Sequence, residues 1–97
     1  MAKKDKPSQI CIITITGKDK VGIIAKIAGA MTRANINIVD VNQKIMEDYF
    51  VMTMAVDIAE STIDIPKIKN RLDKISKEMQ LNITFQDENI FKMMHRV

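Results

Sequence analysis

The stretch Ile15-Thr16-Gly17-Lys18-Asp19-Lys20-Val21-Gly22-Ile23 decides how this chain is read. An apolar alternating run stops there, two glycines fall five apart, and a helical pattern begins directly afterwards. A strand that feeds a helix through such a turn leaves the N–H groups of the first helical turn without intrahelical partners. Together those groups suit a small anion. No Gly-Lys-Ser/Thr ending follows, so the turn is not a phosphate loop, and the third glycine of the dinucleotide fingerprint is missing. A purely structural turn would also use both glycines, Gly17 to end the strand and Gly22 to let the helix approach a sheet.

Working outward, residues 9–16 are rich in β-branched side chains and read as the strand that enters the turn. Ile10 and Ile12 share one face, and Cys11, Ile13 and Ile15 the other. A strand apolar on both faces is central, or covered on both sides. Beyond the turn a helix is expected from about Lys20 to Ala34, with Asp19 as its N-cap and Ile24, Ile27, Ala28 and Met31 as its buried stripe. Asn35 to Met46 returns to strand character. There the alternation slips between Ile36/Ile38 and Val39/Val41/Ile45, the mark of a bulge and hence of an edge strand.

A third strand, Tyr49 to Ile58, alternates cleanly, with Phe50, Met52, Met54, Val56 and Ile58 facing inward. Glu47-Asp48 is short enough to force a hairpin, although it lacks the favoured glycine. Ile65, Ile68, Leu72, Ile75 and Met79 then form one helical stripe. Asp64 is its cap, Pro66 lies in its first turn, and Ile63 is positioned to staple onto Ile68. Leu81 to Gln86 gives a last short strand. Residues 88–97 form an extension in which Ile90, Phe91 and Met94 are expected to pack back as a short helix. The order is βαββαβ. Short connections leave one simple arrangement for it: an α+β ferredoxin-like sandwich, with a four-stranded antiparallel sheet of order 4-1-3-2 and two helices on one face.

The whole chain sets bounds on function. Its 97 residues, 46% apolar, make one domain built from Ile, Val, Met and Leu, with a core domain at 9–87 after a flexible lysine-rich tail at 1–8. The net charge of +3 is supplied by Lys3, Lys4 and Lys6 in that tail, an argument for solubility more than for a nucleic-acid footprint. The single cysteine fits a reducing compartment. The charged N-terminus does not resemble a signal peptide, and no apolar run approaches the ~20 residues of a membrane span. A cytoplasmic protein with no membrane partner is expected.

Catalytic candidates are few. His95 lies near the end of the chain, Cys11 lies within a strand, and Asp87-Glu88 and Glu47-Asp48 read as solvated ends of elements. No catalytic residue, metal site or cofactor is expected. RNA-recognition domains share this topology but stack bases on exposed aromatics of the two middle strands. Here the first strand has none and the third offers only Tyr49 and Phe50, so no nucleic-acid partner is expected.

The remaining reading is a ligand site at the turn. Asp19 suits an ammonium, and the N–H groups around Val21, Gly22 and Ile23 suit a carboxylate. Asn37 stands in a strand interior, where Asn is disfavoured, whereas Asn35 also fits a helix C-cap. Within one chain Asn37 and Asp19 belong at opposite ends of the sheet. A two-fold homodimer that pairs strand two with its own copy reverses this and covers the edge strand.

At this point Thr16-Gly17-Lys18-Asp19-Lys20-Val21-Gly22-Ile23, followed after the helix by Asn35-Ile36-Asn37-Ile38-Val39-Asp40, resembles the D-x-P-G-I…N-I pattern of the ACT domain. The resemblance covers residues 9–87 and is closest to small stand-alone ACT proteins. It also extends to the ACT regions of the glycine-cleavage repressor and formyltetrahydrofolate deformylase. It implies a non-catalytic regulatory module that binds an amino acid or similar small metabolite at a dimer interface. The implied ligand-binding set is Asp19, Lys20, Val21, Gly22, Ile23 and Asn37, with regulation of a partner enzyme or regulator in trans. Val21 departs from the family's proline, and Asp19 stands where effector-binding members often have Asn. A ligand-free protein–protein interaction module is the alternative.

Overall fold

The computed structural model describes residues 7–94; the tail before Pro7 and the site of His95 lie outside the described residues. The elements are β1 (Ile10–Lys18), α1 (Ile23–Arg33), β2 (Asn37–Met46), β3 (Tyr49–Asp57), α2 (Ile65–Met79), β4 (Asn82–Asp87) and α3 (Glu88–Met94). The four strands form one antiparallel sheet of order β2-β3-β1-β4, the expected sandwich. Cys11, Ile13 and Ile15 of β1 and Phe50, Met52, Met54 and Val56 of β3 share a core with Ile23, Ile27, Ala30 and Met31 of α1 and Ile68, Leu72 and Ile75 of α2. Both long helices therefore cover the same face.

The second helix forms as its pattern dictates. Asp64 caps it through its carboxylate, which accepts from the Lys67 N–H at 3.1 Å, and Pro66 occupies the first turn, where its missing N–H costs nothing. Ile68, Leu72 and Ile75 are buried, and Met79 and Ile63 are half-buried against the core; Ile65 at the helix start stays exposed. Gln80 takes a left-handed conformation, and the Leu81 N–H reaches back to the Ser76 carbonyl at 2.9 Å to close the end.

The first helix corrects the pattern reading in three places. It begins at Ile23, three residues later than expected, and its cap is Gly22 at φ 94°, with no side-chain cap, so Asp19 is not the N-cap. Its buried stripe is Ile23, Ile27, Ala30 and Met31; Ile24 is half exposed and Ala28 only partly buried. A run of neighbouring apolar residues fills two adjacent stripes, and periodicity alone does not choose between them. The roles of the glycines also change. Gly17 lies inside β1, opposite Phe50, and a Cβ there would meet Leu81 Cδ2 at 2.7 Å. Around Gly22 there is open space, so its role is the positive φ and not close packing.

At its far end α1 closes with two backward bonds, Ile36 N–H to the Met31 carbonyl at 2.9 Å and Asn35 N–H to the Thr32 carbonyl at 3.1 Å. Asn35 itself is left-handed at φ 56° and donates its side-chain amide to the Glu60 carbonyl. Its helix-ending role is therefore structural. The bulge falls between Ile38 and Asp40, and the hairpin turns through Glu47 at φ 58° without a glycine. Ile12, on the face away from α1 and α2, is nevertheless buried; α3 contacts β1 and β4. The extension does pack as a helix, but Ile90 and Met94 remain exposed and only Phe91 is half-buried.

Candidate functional site

The turn between β1 and α1 is held from behind. The Asp19 N–H donates to the Asp48 carbonyl at 2.7 Å, which ties the turn to the tip of the β2–β3 hairpin. Lys20 Nζ donates to the Met79 carbonyl at 2.6 Å, a cation on the negative end of α2. The ammonium of Lys20 is thus committed to the fold. Val21, between these anchors and the helix, is 100% exposed. Such a fully solvated valine contributes nothing to the core.

Gly22 opens α1, and the first helical bond runs from the Lys26 N–H to the Gly22 carbonyl at 3.0 Å. The N–H groups of Ile23, Ile24 and Ala25 consequently have no intrahelical acceptor, and no side chain caps them. Ile23 is 2% exposed as a whole residue, whereas Ile24 and Ala25 are exposed. Asp19 is exposed three residues before Gly22 in the same turn. A carboxylate and a row of free N–H groups on one turn supply an acceptor and donors, the groups that a zwitterion needs. A depression of ≈ 360 Å³ lies against this turn, lined by Val21, Gly22, Ala25, Lys26, Arg33 and Met79.

Asn37 stands apart from this cluster. It begins β2 opposite Asp57, on the same rung of the sheet as Ile10 and eight rungs from Lys18. At ~3.4 Å per residue that is about 27 Å along the strands. Asn37 instead lines a separate depression with Thr32, Asn35, Ile36 and Glu60. One chain alone therefore carries Asp19, Val21, Gly22 and the α1 amides on one turn, and leaves Asn37 at the other end of the sheet.

The β2 strand is the more exposed of the sheet's two edges. Every residue from Val39 to Met46 is exposed, including Val39, Val41, Ile45 and Met46. The bulge turns Val41 and Ile45 to the helix side of the sheet, yet neither long helix extends far enough to bury them. An edge strand ten residues long, with four large apolar side chains in water, is a pairing surface.

Elsewhere the reactive groups are spent. Burial pushes the Cys11 thiol up from 9.0 to about 11, Asp87 adding to the rise and Lys69 opposing it. A thiol in that setting is a poor nucleophile at neutral pH. Asp57, the one buried carboxylate among the described residues, accepts from the Gln9 and Ala59 N–H groups at 3.1 and 3.0 Å and fastens the end of β3. No group of three His, Cys, Asp or Glu among the described residues is arranged to hold a metal. No helix among them is long and apolar enough to cross a membrane. Pattern reading passes over one feature, the basic lining of the cleft between α1 and α2. Its signal is the spacing of Lys26 and Arg33 on one helix and of Arg71 and Lys74 on the next.

Comparison with known proteins places this geometry in context. The family model of the ACT domain matches residues 9–86. A UPF0237 protein of Clostridium acetobutylicum is 45% identical over 86 residues, covering 89% of this chain and 97% of that one. Among solved structures, an ACT domain protein from Streptococcus pneumoniae superposes with a TM-score of 0.74 at 29% identity, over 89% of this chain and 97% of its own. A formyltetrahydrofolate deformylase from Pseudomonas syringae shares the fold, with a TM-score of 0.77 at 18% identity, over 86% of this chain and 28% of the enzyme.

Proposed function

This chain belongs to the ACT-domain family, and from that premise we propose that it is a non-catalytic, cytoplasmic regulatory module that senses an amino acid or similar small metabolite. The observation that carries the reading is the uncapped start of α1 beside the exposed Asp19. The effector's carboxylate sits against the free N–H groups of the exposed Ile24 and Ala25, and its ammonium against Asp19. The anion end gains from the positive end of the helix dipole, and the cation end from a full carboxylate.

The second half of the site comes from a second copy. Two-fold pairing of β2 with itself is antiparallel, so the start of one β2 meets the end of the other. The Met46 end of β2 lies on the rung of Lys18 and Tyr49, next to the turn. Asn37 of a second copy then arrives at the turn's end of the sheet, about three strand spacings, roughly 14 Å, from β1. The effector and the two side chains fill that gap. Pairing also removes the exposed β2 edge, and the ligand's contribution to the dimer becomes the signal that a partner enzyme or regulator reads.

Calorimetric titration of the wild type with the twenty amino acids tests this. Binding is expected for at least one of them, weakened tenfold or more by Asp19→Ala and by Asn37→Ala, with a dimer by light scattering. A dimer that binds none of them contradicts the sensor. A stable complex with a partner formed without added metabolite favours a ligand-free docking module instead.

A further inference from the structure

The cleft between α1 and α2 is basic in a way the rest of the chain is not. The two helices carry seven of the fifteen basic side chains and two of the twelve acidic ones, which leaves eight basic against ten acidic elsewhere. Four of the seven converge on one groove of ≈ 570 Å³, Lys26 and Arg33 from α1 and Arg71 and Lys74 from α2. The remaining lining is Ala30 and Ile75, both buried, and Glu78. Glu78 is already committed: Lys26 Nζ lies 2.6 Å from its carboxylate and, through that hydrogen bond, holds the group below its ordinary value. Arg33, Arg71 and Lys74 are in no salt bridge among the described residues, and Lys74 adds a longer-range attraction to Glu78. Four cations against one carboxylate leave a surplus of three positive charges in the groove, and a bound polyanion relieves their repulsion.

We propose that this groove binds a small organic phosphate with two or more negative charges, of about nucleotide size. The guanidinium forks of Arg33 and Arg71 match phosphate oxygens bidentately, and Lys74 adds a point charge. The apolar strip of Ala30 and Ile75 takes the uncharged part of the molecule. The groove's volume falls within the range of ligand pockets. No aromatic side chain lines it, and it is a single short cleft, so stacked single-stranded nucleic acid is not its ligand. Lys26 and Arg33 also line the depression at the α1 turn, so the two sites adjoin while using separate residues on α2.

Titration with ATP and with inorganic pyrophosphate at 50 mM salt, followed by calorimetry, tests the proposal. Binding of ATP is expected, weakened at least tenfold by the double variant Arg71→Ala/Lys74→Ala and severalfold by raising the salt to 200 mM. Both residues are exposed, and circular dichroism of the variant should match the wild type. Asp19→Ala and Asn37→Ala should leave ATP binding unchanged, which separates this site from the amino-acid site. Absence of binding by both probes overturns the proposal. So does undiminished affinity in the double variant, or binding of a polyglutamate peptide in place of ATP.

Discussion

Two helices start in the same layer of this protein, and they start differently. The α2 helix opens on Asp64, whose carboxylate takes up a free N–H, with Pro66 following and the half-buried Ile63 preceding it. Of its first-turn donors only the Ile65 N–H is left without an acceptor. The α1 helix opens on a left-handed glycine with no side chain to offer, beside a valine wholly in water. Both helices close their far ends in the same way, through a left-handed residue at Asn35 or Gln80 and a backward N–H bond. The asymmetry is confined to the starts. Where stability alone governs, the chain satisfies its backbone; at the α1 turn it holds the loop from behind, through Asp48 and Met79, and leaves the outward donors open.

The strongest way to break this contrast is to remove packing from the satisfied helix. Leu72→Ala deletes a side chain that is 2% exposed and should cost about 3 kcal/mol. Urea denaturation should show that loss as a lower midpoint at unchanged slope. Gly22→Ala comes next. No atom lies within 4 Å of the new Cβ, but φ 94° is a conformation that L side chains avoid, so about 1 to 2 kcal/mol should go to backbone strain alone. Effector binding should fall with it, because the donors of Ile24 and Ala25 follow directly on that residue. Asp64→Ala should cost about 1 kcal/mol, read as a melting-temperature drop of several degrees, and leave effector binding intact. Asp19→Ala inverts the pattern: stability within about 0.5 kcal/mol of the wild type, binding severely reduced.

A test by pH lies beneath both helices. The thiol of Cys11 titrates at 9.0 in the unfolded chain and at about 11 when folded. The folded state therefore holds this proton more tightly. Its contribution is complete below pH 9 and is lost as pH rises from 9 to 11. The urea midpoint should fall over that interval, and less so in Cys11→Ala, which lacks the group.

The two helix starts also explain which parts are legible in the sequence. The α2 helix announces itself because a cap, a proline and an apolar stripe are all side-chain signals, and β3 does so through strict alternation. The bulge in β2 shows as a slip of that alternation, and β3's inward set is buried as read. The start of α1 is hidden because a glycine cap carries no side-chain signal. Asp19 supplies a false one, while β1 runs on to Lys18. The components of the site are legible as types: a turn with two glycines, an acid beside it, an asparagine out of place in a strand. Their assembly is not, since the turn and Asn37 sit eight rungs apart in one chain. The basic cleft is hidden because its four cations belong to two helices far apart in sequence.

Mixing the two site variants tests the central claim most directly. If each site takes Asp19 from one copy and Asn37 from the other, Asp19→Ala and Asn37→Ala proteins fail separately. A heterodimer of the two has one doubly defective site and one wild-type site. Equilibrating them in equal amounts and titrating with the amino acid that the wild type binds should recover wild-type affinity at about one quarter of the wild-type site number. No recovery on mixing, with both variants still dimeric, would contradict a site shared between subunits.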